Sequence, residues 1–239
     1  MNALLQRYGR LFWMLTAALF AVMVIRVFYF TPVEATMGPV QKVFYLHLPA
    51  AISTFLACTV VFIASIGYLW QRRQFWDDLA LAGAKVAVLL CTIVLISGMV
   101  WAREAWGTWW TWSPRLTFSL LLWLLYAVYL IIRPAIEPRQ RRALVAAVYG
   151  IIAFIDVPLV YLSVRLMVDV HPVDVQLAPA MRTTLWISFL PVVMTCVGLI
   201  AMGTLALRRS APGLNPQASA AGTASWPQVS LSMKSGGAL

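Results

Sequence analysis

Long apolar runs, separated by short polar connections, dominate this chain. Six can be drawn, at residues 11–30, 48–70, 79–100, 116–132, 143–164 and 183–207. Each approaches or exceeds the roughly 20 residues that a helix needs to cross a bilayer. The pattern predicts an all-α, polytopic membrane protein with six transmembrane helices. Since no A-x-A cleavage site follows the first run, we expect it to be a retained span rather than a signal peptide.

Composition leads to the same class of protein. Hydrophobic residues make up 62% of the 239 positions and charged residues only 11%, and the mean hydropathy is +0.83. A soluble domain carries about 25% charged residues, so these charges are too few to cover a water-exposed surface. The net charge of +10 comes from residues that lie mostly in the connections. We therefore expect contact with an anionic lipid bilayer and no nucleic-acid partner.

The connections on one side of the predicted bundle are richer in basic residues. That side holds eleven: Arg7, Arg10, Arg72, Arg73, Arg133, Arg139, Arg141, Arg142, Arg208, Arg209 and Lys234. The other side holds six: Arg26, Lys42, Arg103, Arg115, Arg165 and Arg182. The positive-inside rule predicts that both termini are cytoplasmic. The connections after spans one, three and five then face outwards, towards the periplasm of a Gram-negative cell.

The chain divides into a membrane domain and a tail. Residues 1–209 are predicted to form one six-helix domain, with a tryptophan-rich loop at 101–115. Residues 210–239 are rich in Ser, Ala, Gly and Pro, which predicts a disordered cytoplasmic tail. The three cysteines lie far apart inside apolar runs, and the chain has no CxxCH motif. We therefore expect neither a disulfide framework nor self-attachment of a c-type haem.

Both histidines and a tryptophan cluster fall on the predicted outer face. His47 ends the first outer connection and His171 lies in the third. The middle outer connection carries five of the eleven tryptophans: Trp101, Trp106, Trp109, Trp110 and Trp112. A miscount of one span between the two histidines would separate them, so their shared face is a direct test of the topology.

The tryptophan cluster has two interpretations. Trp favours the headgroup region, so the cluster could be an aromatic belt or simple loop packing. It could equally form a platform for a flat apolar cofactor, with Trp106, Trp109 and Trp110 on one face if the loop is helical. A single histidine at a span end is more often an interfacial hydrogen-bonding residue than a ligand. Two on one face, beside the tryptophans, favour haem, which is commonly held through His.

Haem would bring two propionates, which need cationic partners. Four basic residues lie near the outer face: Lys42, Arg103, Arg115 and Arg182. A guanidinium suits a carboxylate because its planar fork can bind both oxygens. Contact with lipid headgroups explains each of the four equally well, and the sequence does not choose among them. Directly after the tryptophans, Ser113 and Pro114 predict the start of the fourth helix, as N-cap and first helical residue.

Three ordered motifs resemble one family. Residues 106–117 (WGTWWTWSPRLT) resemble the tryptophan-rich WWD signature of the haem-handling proteins of cytochrome c maturation, and the RLT at 115–117 is similar to the CcmC branch. Residues 42–51 (KVFYLHLPAA) resemble the first histidine motif of that branch. Its fifth span and second histidine are matched by residues 157–161 (VPLVY) and by His171 with Pro172. The resemblance covers about residues 41–207, with one departure: the family usually has Asp where this chain has Ser113.

The resemblance implies a haem-transfer subunit rather than an enzyme. Such proteins hold haem b at the outer face of the bacterial cytoplasmic (inner) membrane and present it to the haem chaperone CcmE. They work with the ABC-transporter subunits CcmA and CcmB and the small subunit CcmD. By matching motifs, His47 and His171 would be the axial ligands of the haem iron. The further cofactor-binding residues would be Trp106, Gly107, Trp109, Trp110, Trp112 and Arg115.

Three other functions stay open from the residues alone. A haem lyase would attach haem directly to apocytochrome c, but WWD proteins of that kind typically have more spans and more histidines. An electron carrier of cytochrome b type would place its histidine pairs near the middle of the bilayer. A scaffold subunit of an ABC-type complex would use the tryptophan loop to dock a partner, and its binding would survive loss of both histidines.

Overall fold

A computed structural model of the chain describes residues 2–169, 171 and 176–210. Six of its helices are long and apolar enough to cross a membrane: Tyr8–Phe30, Pro39–Gln71, Gln74–Trp106, Pro114–Ala135, Arg139–Leu166 and Pro179–Arg209. The prediction of an all-α protein with six spans is therefore confirmed. The predicted tail beyond Ser210 lies outside the described residues, as does Pro172.

Seven α-helices build these spans. They are α1 (Asn2–Ile25), α2 (Phe44–Gln71), α3 (Gln74–Trp106), α4 (Pro114–Ile132), α5 (Arg139–Ala153), α6 (Asp156–Leu166) and α7 (Pro179–Arg209). Short helical turns extend α1 and α4 at their ends and precede α2. The fifth span consists of two helices because Pro158 lacks an N–H and its ring crowds the carbonyl of residue 154. The chain therefore breaks at residues 154 and 155, and Pro158 lies in the first turn of α6.

The pair formed by α2 and α3 is the centre of the bundle and has its largest helix–helix interface. Small buried residues line this pair, among them Ala57, Ala64, Ala80 and Ala84. Small side chains let helix backbones approach closely, and such van der Waals packing stabilises bundles in lipid. The α2–α3 pair is thus the firm support from which His47 and the first tryptophans project.

A buried ion pair closes the end of the bundle opposite the histidines. One guanidinium nitrogen of Arg133 donates to both carboxylate oxygens of Asp77 at 2.8 Å. A second nitrogen donates to the hydroxyl of Tyr129 at 3.1 Å. Because both charged side chains are buried, removal of one partner would leave a costly unpaired charge. This contact fixes the start of α3 against the end of α4.

Candidate functional site

Three helix ends and His171 meet around one cavity. The helix ends are the start of α2, the end of α3 and the start of α4, and His171 lies between α6 and α7. The cavity has a volume of about 580 Å³, within the range of roughly 300–1,000 Å³ typical of small-molecule sites. Most of its wall is apolar, and His47, His171 and Arg115 are among the residues that line it. The only two histidines of the chain thus face a common space.

His47 lies in the first turn of α2 and is oriented by α3. Its Nδ1 is 2.9 Å from the hydroxyl oxygen of Ser97. That hydroxyl lies closer to the carbonyl oxygen of Ile93, at 2.6 Å, and when it donates its single proton there it accepts from the imidazole. In that arrangement the proton is on Nδ1 and the lone pair is on Nε2. A neutral imidazole in this tautomer is ready to bind iron through Nε2.

Packing also restricts the His47 ring. The indole of Trp101 lies 6.0 Å from it, centroid to centroid, at an interplanar angle of 88°. A Cβ atom on Gly98 would stand 3.3 Å from the imidazole Cε1, closer than side chains normally tolerate. The glycine therefore makes room for the ring where α2 and α3 pass each other.

His171 is held differently, in the segment between α6 and α7. Its Nδ1 lies 3.2 Å from a terminal guanidinium nitrogen of Arg115. A guanidinium has only donors, so Nδ1 accepts this bond. The carboxylate of Asp169 accepts from the backbone N–H of Arg115 at 2.7 Å and from that of His171 at 2.8 Å. Arg115 and His171 line the same cavity as His47.

The predicted tryptophan platform divides into two groups. Trp101, Trp106 and Trp110 line the cavity, whereas Trp109 and Trp112 are 58% and 73% exposed and lie outside its wall together with Gly107. Helix α3 ends at Trp106, because Gly107 adopts a left-handed conformation with φ of 74°. The shared helical face expected for a helical loop is therefore not formed.

Three polar groups between α3 and α4 have no hydrogen-bond partner among the described residues. They are the indole N–H of Trp110 and the hydroxyls of Thr111 and Ser113, all of them buried. Buried polar groups in folded proteins are normally paired with protein or water. Trp110 lines the cavity, so a ligand there with a polar edge would provide a partner for its indole N–H.

The structure distinguishes the four candidate cations. Only Arg115 is among the residues that line the cavity. The ammonium of Lys42 donates to the carbonyl of Phe28 at 3.3 Å. The guanidinium of Arg103 donates to the carbonyl of Gly107, and Arg182 is exposed on α7. Arg115 is therefore the cation placed to meet a carboxylate inside the cavity.

Sequence reasoning missed Ser97, Gly98 and Asp169. A signal for the first two was present: a polar and a small residue stand side by side within an apolar run, one helical turn before Trp101. Asp169 precedes His171 by two residues, the spacing at which an Asp side chain commonly accepts from a backbone N–H. Its second bond, to Arg115, joins positions 54 residues apart and has no signal in the sequence.

Comparison with known proteins gives consistent matches. The heme exporter protein C of Rhodobacter capsulatus is 37% identical over 136 residues, 56% of each chain. The protein of that name from Escherichia coli K12 is 31% identical over 164 residues, 66% of each chain. The one from Haemophilus influenzae is 31% identical over 163 residues, 67% of this chain and 65% of the relative. The chain therefore spans somewhat less than two thirds of the length of these relatives.

The family comparison covers more of the chain. The family model described as heme exporter protein C matches residues 1–216 of the 239. This range includes all six spans, the cavity and both histidines. The chain therefore belongs to the CcmC (heme exporter protein C) family.

Proposed function

We propose that this protein binds haem as cargo, with His47 and His171 as the two axial ligands of the iron, and passes it to a receiving protein. The single observation that carries the proposal is that both histidines line one cavity of about 580 Å³. Membership of the CcmC family supports a role in haem handling rather than in catalysis. The proposed cargo is haem b, held without covalent attachment.

The donor set fits a macrocycle better than a bare metal ion. In the part of the chain that the structure describes, no three His, Cys, Asp or Glu side chains come together as a metal site. Haem supplies four nitrogen ligands itself and needs only axial donors from the protein. The Nε2 lone pair of His47 meets this need directly, since its Nδ1 proton is bound to Ser97.

His171 requires a change before it can ligate iron through Nε2. A neutral imidazole in that role carries its proton on Nδ1, where the guanidinium of Arg115 now donates. Arg115 would therefore leave Nδ1 when haem binds. Its charged fork would then be available to a propionate at the same edge of the cavity. The unpaired indole N–H of Trp110 offers the same carboxylate a second donor.

The flat apolar faces of the macrocycle suit the tryptophans on the cavity wall. Trp101, Trp106 and Trp110 would pack against the porphyrin, and each aromatic contact contributes about 0.5–1.5 kcal/mol beyond area burial. Gly107, Trp109 and Trp112 were also predicted to contact haem, but they lie outside the cavity wall. In this proposal they would contact haem only at the exposed rim of the site.

The membrane setting completes the proposal. The protein is a multi-pass membrane protein, and the cavity lies at the end of the bundle with fewer basic connections. By the positive-inside rule this end faces the periplasm. There the cargo would be presented to the chaperone CcmE, with CcmA, CcmB and CcmD as the other members of the complex.

The absorption spectrum of the purified protein tests the proposal. We expect a haem band in the full chain, and a weaker band after His47→Ala and after His171→Ala, because each change removes one iron ligand. Arg182→Ala is the control, since Arg182 is an exposed outer-side cation away from the cavity. Unchanged haem content and spectra in both histidine variants would refute the ligand assignment and favour a scaffold role for the loop.

A further inference from the structure

The start of helix α4 has an unusual cap. The first N–H groups of a helix have no partner within the helix, and an N-cap Ser normally accepts from one of them through its hydroxyl. Ser113 occupies the N-cap position with extended backbone angles, φ of −64° and ψ of 154°, but makes no such bond. The N–H of Arg115, which a capping side chain would take, donates to Asp169 at 2.7 Å.

Asp169 brings a carboxylate to this helix end from a different part of the chain. It lies after α6, 54 residues further along than Arg115. A negative charge at a helix N-terminus is favourable because the partial charge there is positive. The start of α4 therefore has a carboxylate cap although residue 113 is a serine.

The same carboxylate has a second task. Its other oxygen accepts from the backbone N–H of His171 at 2.8 Å. One side chain thus ties the backbone of His171 to the backbone of Arg115, and the side chains of these two residues are themselves 3.2 Å apart. Because His171 lies between helices rather than within one, no helical ladder fixes its position. The Asp169 carboxylate provides a link from its backbone to α4.

We propose that Asp169 is a positioning residue for haem binding. It holds His171 at the N-terminus of α4, so that the imidazole faces the cavity beside Arg115. This inference rests on the proposed role of His171 as a haem ligand. Asp169 itself touches no iron in this scheme and acts through the backbone of the ligand. Helix capping is its second and separable effect.

Asp169→Ala tests the proposal in the full-length, haem-loaded protein. We expect haem to dissociate about tenfold faster, the lower end of the 10–100-fold range typical of residues that orient a metal ligand. We also expect part of the six-coordinate, bis-histidine absorption signature to be lost. Asp169→Asn keeps the shape of the side chain but can accept through only one oxygen, so it should show a smaller loss. A wild-type spectrum and dissociation rate in both variants would overturn the proposal.

The double variant Ser113→Asp, Asp169→Ala separates positioning from capping. An Asp at position 113 can cap α4 locally. This new cap does not replace the hydrogen bond that Asp169 accepts from the N–H of His171. We expect the double variant to regain the thermal stability lost in Asp169→Ala and to keep the altered haem spectrum. Recovery of both properties would mean that Asp169 acts only as a helix cap.

The comparison with His171→Ala keeps the two proposals distinct. If His171→Ala changes the haem spectrum and neither Asp169 variant does, only the role of Asp169 is wrong. If His171→Ala itself leaves the spectrum unchanged, His171 is not a ligand and the proposed function fails with it.

Discussion

The two sides of the cavity are built in different ways. On one side, His47 belongs to helix α2, and the neighbouring helix α3 contributes Ser97 and Trp101 to its surroundings. On the other side, His171 lies in a connection and forms hydrogen bonds with Arg115 and Asp169. The first histidine is a fixed part of the bundle, whereas the second is attached to it by polar contacts.

This difference bears on the proposed function, because a haem carrier must also release its cargo. With its proton on Nδ1, His47 would have Nε2 ready for iron, whereas His171 would first have to lose its bond to Arg115. Ligation by His171 therefore costs an existing hydrogen bond to a charged group, worth roughly 1.5–3 kcal/mol. A firm ligand on one side and an exchangeable one on the other would allow haem to be held and still passed on.

The largest expected effect comes from removing the histidine that belongs to the helix bundle. His47→Ala should remove most bound haem, because it deletes the preorganised ligand. His171→Ala should keep more haem, now five-coordinate and high-spin, because His47 still binds the iron. Haem content per protein and the ferric absorption spectrum measure both. Equal losses in the two variants would show that the two sides contribute alike.

A smaller effect is expected at the residue that orients His47. Ser97→Ala removes the acceptor of the Nδ1 proton, and we expect about tenfold weaker haem retention, as for other partners of metal-bound histidines. Ser119→Ala is the matched control, since Ser119 lines the same cavity from α4, whereas Ser97 is the residue 2.9 Å from His47. Haem transfer to apomyoglobin gives the rates. A Ser97 variant that matches the Ser119 control would contradict the assigned tautomer.

The smallest expected effect concerns a single indole N–H. Trp110→Phe keeps an aromatic ring in the wall but removes the donor proposed for a propionate. The loss of one hydrogen bond is worth about 0.5–1.5 kcal/mol, which corresponds to roughly two- to tenfold faster haem loss. Trp70→Phe, an exposed indole near the other end of α2 and outside the cavity wall, should leave the rate unchanged. If both variants behave alike, the unpaired N–H of Trp110 has no part in binding.

Much of the fold followed from the sequence because lipid imposes a simple rule. Every backbone polar group in the bilayer needs an internal partner, so a long apolar run must be a helix. Counting such runs was enough to predict six spans and the shared face of His47 and His171. The break in the fifth span before Asp156 was not predicted, although Pro158 is its physical cause.

The details of the site were less accessible. The sequence identified the tryptophan loop but not which of its rings turn inward, because that depends on where α3 ends and on the left-handed turn at Gly107. It offered four cations and could not single out Arg115. The contact between Asp169 and the start of α4 arises only when α6 folds back beside α4. Such long-range polar contacts leave no periodic pattern to detect.

Electron paramagnetic resonance of the ferric, haem-loaded wild-type protein tests the central claim most directly, because this signal reports the axial ligands of the iron. A six-coordinate, low-spin signal of two imidazoles, replaced by a high-spin signal in His171→Ala, is the predicted result. A high-spin signal in the wild-type protein, or a low-spin signal that survives loss of either histidine, would show that the two imidazoles are not the axial ligands of one haem iron.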